Sequence, residues 1–253
     1  MSRTKLDLIH ASAFIENPAG KGIVVFIHGF MGSPRQFDRL TMAVYRQGFS
    51  AAALLLPGHG GPASEFKSST FPGWQEHVDS EVERFSRDYQ KIWLAGHSMG
   101  GLLALNAAVR YSGHVRGVFP IACPFKMTMF SAHTIKIRMQ QVFSRSSSPI
   151  KAAYRDGSSI KLSPSLIWST AKPAFELSKL ITTAKDNLPK VRAPVMAVYS
   201  VSDELTSIAS LEILKSGLKG AAFEQIILSD SLHAYYPEHE FSVIERSLVG
   251  FIQ

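Results

Sequence analysis

The run Gly96-His97-Ser98-Met99-Gly100 sets a serine between two glycines, the spacing that a nucleophilic hydroxyl on a sharp strand-to-helix turn requires. A serine hydroxyl attacks poorly at neutral pH. It needs an imidazole to take its proton, and a carboxylate to hold that imidazole's tautomer. Both occur downstream in the order serine, acid, histidine: Asp203 in Ser200-Val201-Ser202-Asp203-Glu204, and His233 in Ser231-Leu232-His233-Ala234. Asp203 is the expected acid, with neighbouring Glu204 and Asp230, just before the histidine, as alternatives. Such a set supports attack on a carbonyl carbon, and the negative oxygen that develops needs preorganised N–H donors. The amide of Met99 is one expected donor, and the amide of Phe30 in His28-Gly29-Phe30 is the other. A glycine-rich turn with a helix-capping serine would show the same five residues. It would not call for an acid and a histidine in this order.

These side chains meet only if the chain alternates strands and helices. Gly22 to Ile27 is a β-branched apolar run without alternation, as in a strand buried on both faces of a parallel sheet. Two glycines and a proline from His28 to Pro34 demand a loop, after which Ser33 and Pro34 suit an N-cap and first helical position. Further strands are expected over Ser50–Leu56, Lys91–Ala95, Val115–Ala122, Val195–Tyr199 and Phe223–Leu228. Helices are expected over Trp74–Tyr89, Met99–Tyr111 and Glu240–Ile252. The pattern implies an α/β fold with a mostly parallel sheet covered on both faces. Ser98, Asp203 and His233 each follow a strand and so converge on one edge.

The 253 residues, 45% of them apolar, carry a formal charge of +7. That charge is unevenly spread. Between Phe125 and Arg192 stand 12 basic and 3 acidic residues, a formal +9. This segment also changes periodicity, with helical stripes at Ile135, Met139, Val142 and Phe143 and at Leu177, Leu180, Ile181, Ala184 and Leu188. Ser144–Pro149 and Arg155–Pro164 read as connectors. Residues 125–193 are thus expected to form a small helical cap over a core made of 1–124 and 194–253. Its apolar residues pack the cap or line an acyl channel, with Met127, Met129 and Phe130 as the candidate substrate-binding residues. Its basic surface either keeps the protein soluble or contacts anionic lipid weakly.

With these residues in hand, the chain resembles the α/β-hydrolase superfamily along nearly its whole length, and within it the bacterial carboxylesterase and monoacylglycerol lipase group. The matching stretches are His28–Pro34, Leu56-Pro57-Gly58-His59-Gly60, Gly96–Gly101, Pro194–Asp203 and Ser231-Leu232-His233. The resemblance implies a catalytic Ser98, Asp203 and His233, an oxyanion hole from Phe30 and Met99, a small-molecule carboxylic ester as substrate with an apolar acyl chain, and no cofactor. An acyl thioesterase uses identical residues, and a non-catalytic ligand-binding protein on the same fold is the alternative of another class. The chain departs from the group after the histidine, where Tyr235-Tyr236-Pro237-Glu238 replaces an often-found aspartate at the pocket rim.

Other functions lack their signatures. None of the 9 histidines forms an H-x-H, HExxH or Cys/His cluster, so no metal is expected, and His59 reads as structural. No recognisable nucleic-acid motif or basic arm accompanies the positive charge. The single cysteine, Cys123, reads as a core residue and makes no internal disulfide. With no apolar leader behind the first basic residues and no spanning stretch, a cytoplasmic location is expected.

Overall fold

The computed structural model describes residues 11–128, 148–159 and 166–253. Its strands are β1 (Ala13–Ile15), β2 (Ile23–Ile27), β3 (Ser50–Leu54), β4 (Ile92–His97), β5 (Val115–Ile121), β6 (Val195–Ser200) and β7 (Phe223–Leu228). They form one sheet in the order β1-β3-β2-β4-β5-β6-β7. Only the three-residue β1 runs antiparallel; every other neighbouring pair is parallel. This is the α/β-hydrolase fold.

Strand β2 explains why its sequence lacks alternation. Ile23, Val25 and Ile27 enter one hydrophobic cluster while Val24 and Phe26 enter the other, so both faces of the strand are buried. The first cluster is closed by helices α3 (Phe71–Asp88), α4 (Met99–Arg110), α6 (Leu166–Asn187) and α7 (Ala209–Gly217). The second is closed by α1 (Asp38–Arg46) and α8 (Glu238–Phe251). Two shorter helices complete the described elements, α2 (Ala63–Ser68) and α5 (Pro149–Asp156). Among the described residues, no helix is long and apolar enough to cross a membrane.

The expected core strands and helices are present, with local differences that have physical causes. A 3-10 turn over Pro34–Phe37 precedes α1, and the Ser33 hydroxyl accepts from the Arg35 amide at 3.3 Å as its cap. Helix α3 begins earlier than its apolar stripe suggests, because Thr70 caps it by accepting from the Gly73 amide at 3.3 Å. Pro149, expected in a connector, instead opens α5 at a first-turn position where its missing N–H has no cost. The stripe from Leu177 to Leu188 faces the first cluster, where Leu180 and Ala184 are fully buried against the layer containing α4. A polar chain ties α6 to the same layer: Asn187 donates to Asn106 at 3.0 Å, and Asn106 to Gln75 at 3.2 Å. The Ile135–Phe143 stripe lies outside the described residues.

Candidate active site

The C-terminal ends of β2, β4, β6 and β7 feed the loops that carry the candidate groups, at the edge where open α/β sheets bind their ligands. At the end of β4 the chain turns so sharply that Ser98 takes φ 53° and ψ −119°, a conformation disfavoured for any side chain. Two glycines make the turn possible. A Cβ at Gly100 would stand 1.9 Å from the Ile27 carbonyl oxygen, and one at Gly96 would stand 2.3 Å from the Gly100 carbonyl. The Ser98 amide donates to the Ile121 carbonyl at 2.8 Å, fixing the turn against β5.

Ser98, His233 and Asp203 come together in line. The Ser98 hydroxyl lies 3.0 Å from His233 Nε2, and His233 Nδ1 lies 2.9 Å from Asp203 Oδ2. All three are buried. The other Asp203 oxygen accepts from the amides of Leu205 at 2.8 Å and Thr206 at 2.7 Å, which orients the carboxylate. Burial works to raise the Asp203 pKa, but the adjacent imidazole and these hydrogen bonds outweigh it and hold the carboxyl below its ordinary range. Burial likewise works to lower the His233 pKa. The Asp203 carboxylate overcomes it, with help from Glu204, and raises the imidazole above its usual 6.5.

The two alternatives for the acid lie elsewhere. Asp230 is exposed and pairs with His239 at 3.2 Å. Glu204 is buried, but its Oε2 accepts from the His233 backbone amide at 2.9 Å, away from the ring. Asp230, His239 and Glu240 do bring three potential ligand atoms within 4.8 Å of one another. Glu240 is already engaged: it accepts from the amides of Ser229 at 2.6 Å and Asp230 at 3.0 Å and from the Ser231 hydroxyl. Its role is to pin the loop that leads to His233.

Two backbone amides flank the serine. Met99 N–H belongs to the first turn of α4, where helix amides have no internal acceptor. Gly29, the residue before Phe30, packs so closely on the elbow that a Cβ there would lie 3.0 Å from Ser98 Cβ. Among the described residues neither amide donates to the chain.

The loop holding Phe30 is fastened by two histidines, His28 and His59, of which the sequence reads His59 as structural. His28 Nδ1 donates to the Gly29 carbonyl at 2.9 Å and its Nε2 accepts from the Leu56 amide at 3.1 Å. His59 Nε2 accepts from the Met31 amide at 3.2 Å while its Nδ1 donates to the Pro57 carbonyl at 3.2 Å. Burial lowers both pKa values, that of His59 to about 4, so each ring stays neutral and can accept. The pairing of His28-Gly29-Phe30 with Pro57-Gly58-His59 was the signal for this brace. Met31 is thereby held at φ 58°.

A third histidine holds the backbone of His233. His97 Nε2 donates to the His233 carbonyl at 2.7 Å, where the Tyr236 hydroxyl also donates at 3.2 Å. Burial and the neighbouring His233 take the His97 pKa to about 3. A histidine closing an apolar strand beside the nucleophile was the clue to this role.

Of the candidate substrate-binding residues, Met127 is half-buried against the first cluster and forms a backbone bridge to Thr206, whose hydroxyl lies 3.5 Å from His233 Nδ1. Met129 and Phe130 lie outside the described residues. Cys123 is fully buried, and burial pushes its thiol pKa well up.

A family model described as "Serine aminopeptidase, S33" matches residues 18–240. A protein described as thermostable monoacylglycerol lipase from Bacillus sp. (strain H-257) is 24% identical over 230 residues, covering 90% of this chain and 89% of its own. Among solved structures, one reported with the metagenome-derived lipolytic enzymes LipS and LipT has TM-score 0.76 at 23% identity, covering 96% of this chain and 97% of that one. The monoacylglycerol lipase of Paleococcus ferrophilus has TM-score 0.73 at 19% identity, covering 95% and 97%.

Proposed function

Because the chain belongs to the α/β-hydrolase family described as "Serine aminopeptidase, S33", we propose that it hydrolyses carboxylic esters through an acyl-enzyme on Ser98. The observation that carries this reading is the unbroken line from Ser98 Oγ through the His233 ring to Asp203, at 3.0 and 2.9 Å. We take the substrate to be a monoacylglycerol, the class that the relatives' names carry, or a short-to-medium acyl ester.

In this mechanism His233 Nε2 takes the hydroxyl proton as Ser98 Oγ bonds to the ester carbonyl carbon. Asp203 keeps the ring in the tautomer that accepts at Nε2 and steadies the imidazolium. The carbonyl oxygen gains charge between the Phe30 and Met99 amides, each such donor contributing a factor of about 10² to 10³. The imidazolium then gives its proton to the departing alcohol, leaving an acyl group on Ser98. Water, deprotonated by the same imidazole, releases the acid and restores the hydroxyl.

We take residues 125–193 as the cap that covers this site, with Met127 at its inner edge. The test is a fluorophosphonate probe, which should label the wild type and not Ser98→Ala. Side-by-side assays should compare p-nitrophenyl esters, monoacylglycerols, a thioester of one shared acyl chain and an aminoacyl p-nitroanilide. Faster turnover of the thioester or the anilide would replace the ester assignment. Absent labelling together with absent turnover would favour a non-catalytic binding protein.

A further inference from the structure

Two residues outside the serine–imidazole–carboxylate line bear on the base. Glu204 is 1% exposed, and its two oxygens are divided between two elements. Oε2 accepts from the His233 amide at 2.9 Å, and Oε1 accepts from the Tyr154 hydroxyl on α5. Thus one carboxylate links the backbone of His233 to a phenol on α5.

Helix α5 is anchored at its other end as well. Just beyond it, the Ser159 amide donates to the Met31 carbonyl at 3.0 Å and the Ser158 hydroxyl donates to the same oxygen at 3.2 Å. Gln36 Nε2 donates to the Gly157 carbonyl at 3.0 Å. A single segment, residues 149–159, therefore spans the loop that carries Phe30 and the loop that carries His233.

Building on the proposed roles of Ser98 and His233, we infer that Glu204 and Tyr154 are positioning residues for the base: they couple the seating of α5 to the reach of His233 toward Ser98. A purely structural acceptor for the His233 amide would not need a charge, since burying a carboxylate is costly and a neutral amide oxygen can also accept that hydrogen bond. A second carboxylate has a use beside an imidazole that must become positive. The groups facing His233 are Asp203, Glu204 and Thr206 from the loop after β6, His97 from β4, Tyr236 from its own loop and Ser98 at the start of α4, with Tyr154 of α5 behind Glu204. His97 is neutral at working pH, so the two carboxylates are the charges that favour the imidazolium.

The experiment uses Glu204→Gln, Tyr154→Phe and the double variant of the full chain. It reads the rate of fluorophosphonate labelling at Ser98 and the pH profile of kcat/KM for p-nitrophenyl butyrate. Tyr154→Phe is expected to slow both on the order of tenfold with little change in KM, the loss of one hydrogen bond to a charged group. Glu204→Gln is expected to slow labelling similarly and to move the acid limb to lower pH, because the imidazolium loses one of its two negative neighbours. The double variant should be little slower than the slower single variant, since both changes break one clamp. Wild-type labelling rates with an unmoved acid limb in folded variants overturn the inference and leave the proposed function standing. If Glu204→Gln does not fold, Tyr154→Phe, which removes a single oxygen from a half-buried ring, decides alone. A wild type that the probe does not label refutes the proposed function itself, and this inference with it.

Discussion

Replacing Asp203 by asparagine removes one charge and leaves the shape of the side chain nearly unchanged, so its effect follows from which way the new amide must point. In the structure, Asp203 Oδ1 accepts from two backbone amides, Leu205 and Thr206, and Oδ2 faces His233 Nδ1. The asparagine oxygen has to occupy the first position, because turning the NH2 toward two N–H groups would strand both. With each buried hydrogen bond worth about 1–3 kcal/mol, the flipped orientation is disfavoured by about 2–6 kcal/mol and populated at a few per cent or less. The NH2 therefore faces His233, Nδ1 must accept, and the ring proton moves to Nε2, where it blocks the acceptance of the Ser98 proton. We expect kcat to fall on the order of 10³ to 10⁴-fold, measured with a p-nitrophenyl ester, while urea denaturation stays within about 1 kcal/mol of wild type. Asp203→Ala should lose activity and also about 2 kcal/mol or more of stability, because both loop amides lose their acceptor. An Asp203→Asn enzyme that keeps kcat within tenfold would refute this reasoning and move the search to Glu204.

Four further outcomes are expected. Since His233 must be neutral to act and its pKa is raised above 6.5 by Asp203 and Glu204, kcat/KM should fall with decreasing pH through a limb above 6.5; a limb below that value counts against the assignment. Gly100→Ala should destabilise by about 3 kcal/mol or more or prevent folding, judged by denaturation, because its Cβ would stand 1.9 Å from the Ile27 carbonyl oxygen. Leu180→Ala should cost about 2–5 kcal/mol in a urea melt, since the residue is fully buried where α6 meets the first cluster. Cys123 should react with a thiol reagent only upon unfolding, being fully buried with a thiol pKa pushed up; rapid titration of the native protein would contradict its placement.

The strands and long helices were legible because burial on both faces of a parallel sheet leaves an unbroken apolar run, as in Ile23–Ile27, and helix packing leaves a stripe, as in Leu177–Leu188. The triad geometry was legible because each member follows a strand, so their convergence is a property of the topology. What escaped was short or paired by shape. Strand β1 has three residues and little pattern, and α2 offers Phe66 as its only buried residue. Helix α5 was obscured by Pro149, which a linear reading treats as an interruption and the folded chain uses as a start. Glu204 was recognised as an acid near the histidine, but its preference for the backbone amide over the ring depends on the direction the loop leaves β6. The bracing by His28, His59 and His97 left motifs in the sequence, but which backbone group each ring holds depends on pairs of loops meeting in the folded chain.

The backbone at Ser98, with φ 53° and ψ −119°, has a consequence for how the proposed activity would be lost. Glycine adopts such a conformation without penalty, whereas a non-glycine residue there stores about 1–3 kcal/mol. A Ser98→Gly change gives that energy back in exchange for a single contact with the imidazole, so the inert protein should accumulate in the cell at least as well as the active one. Screens that select for abundance or heat tolerance would accept the lesion, and only a selection for turnover would reject it.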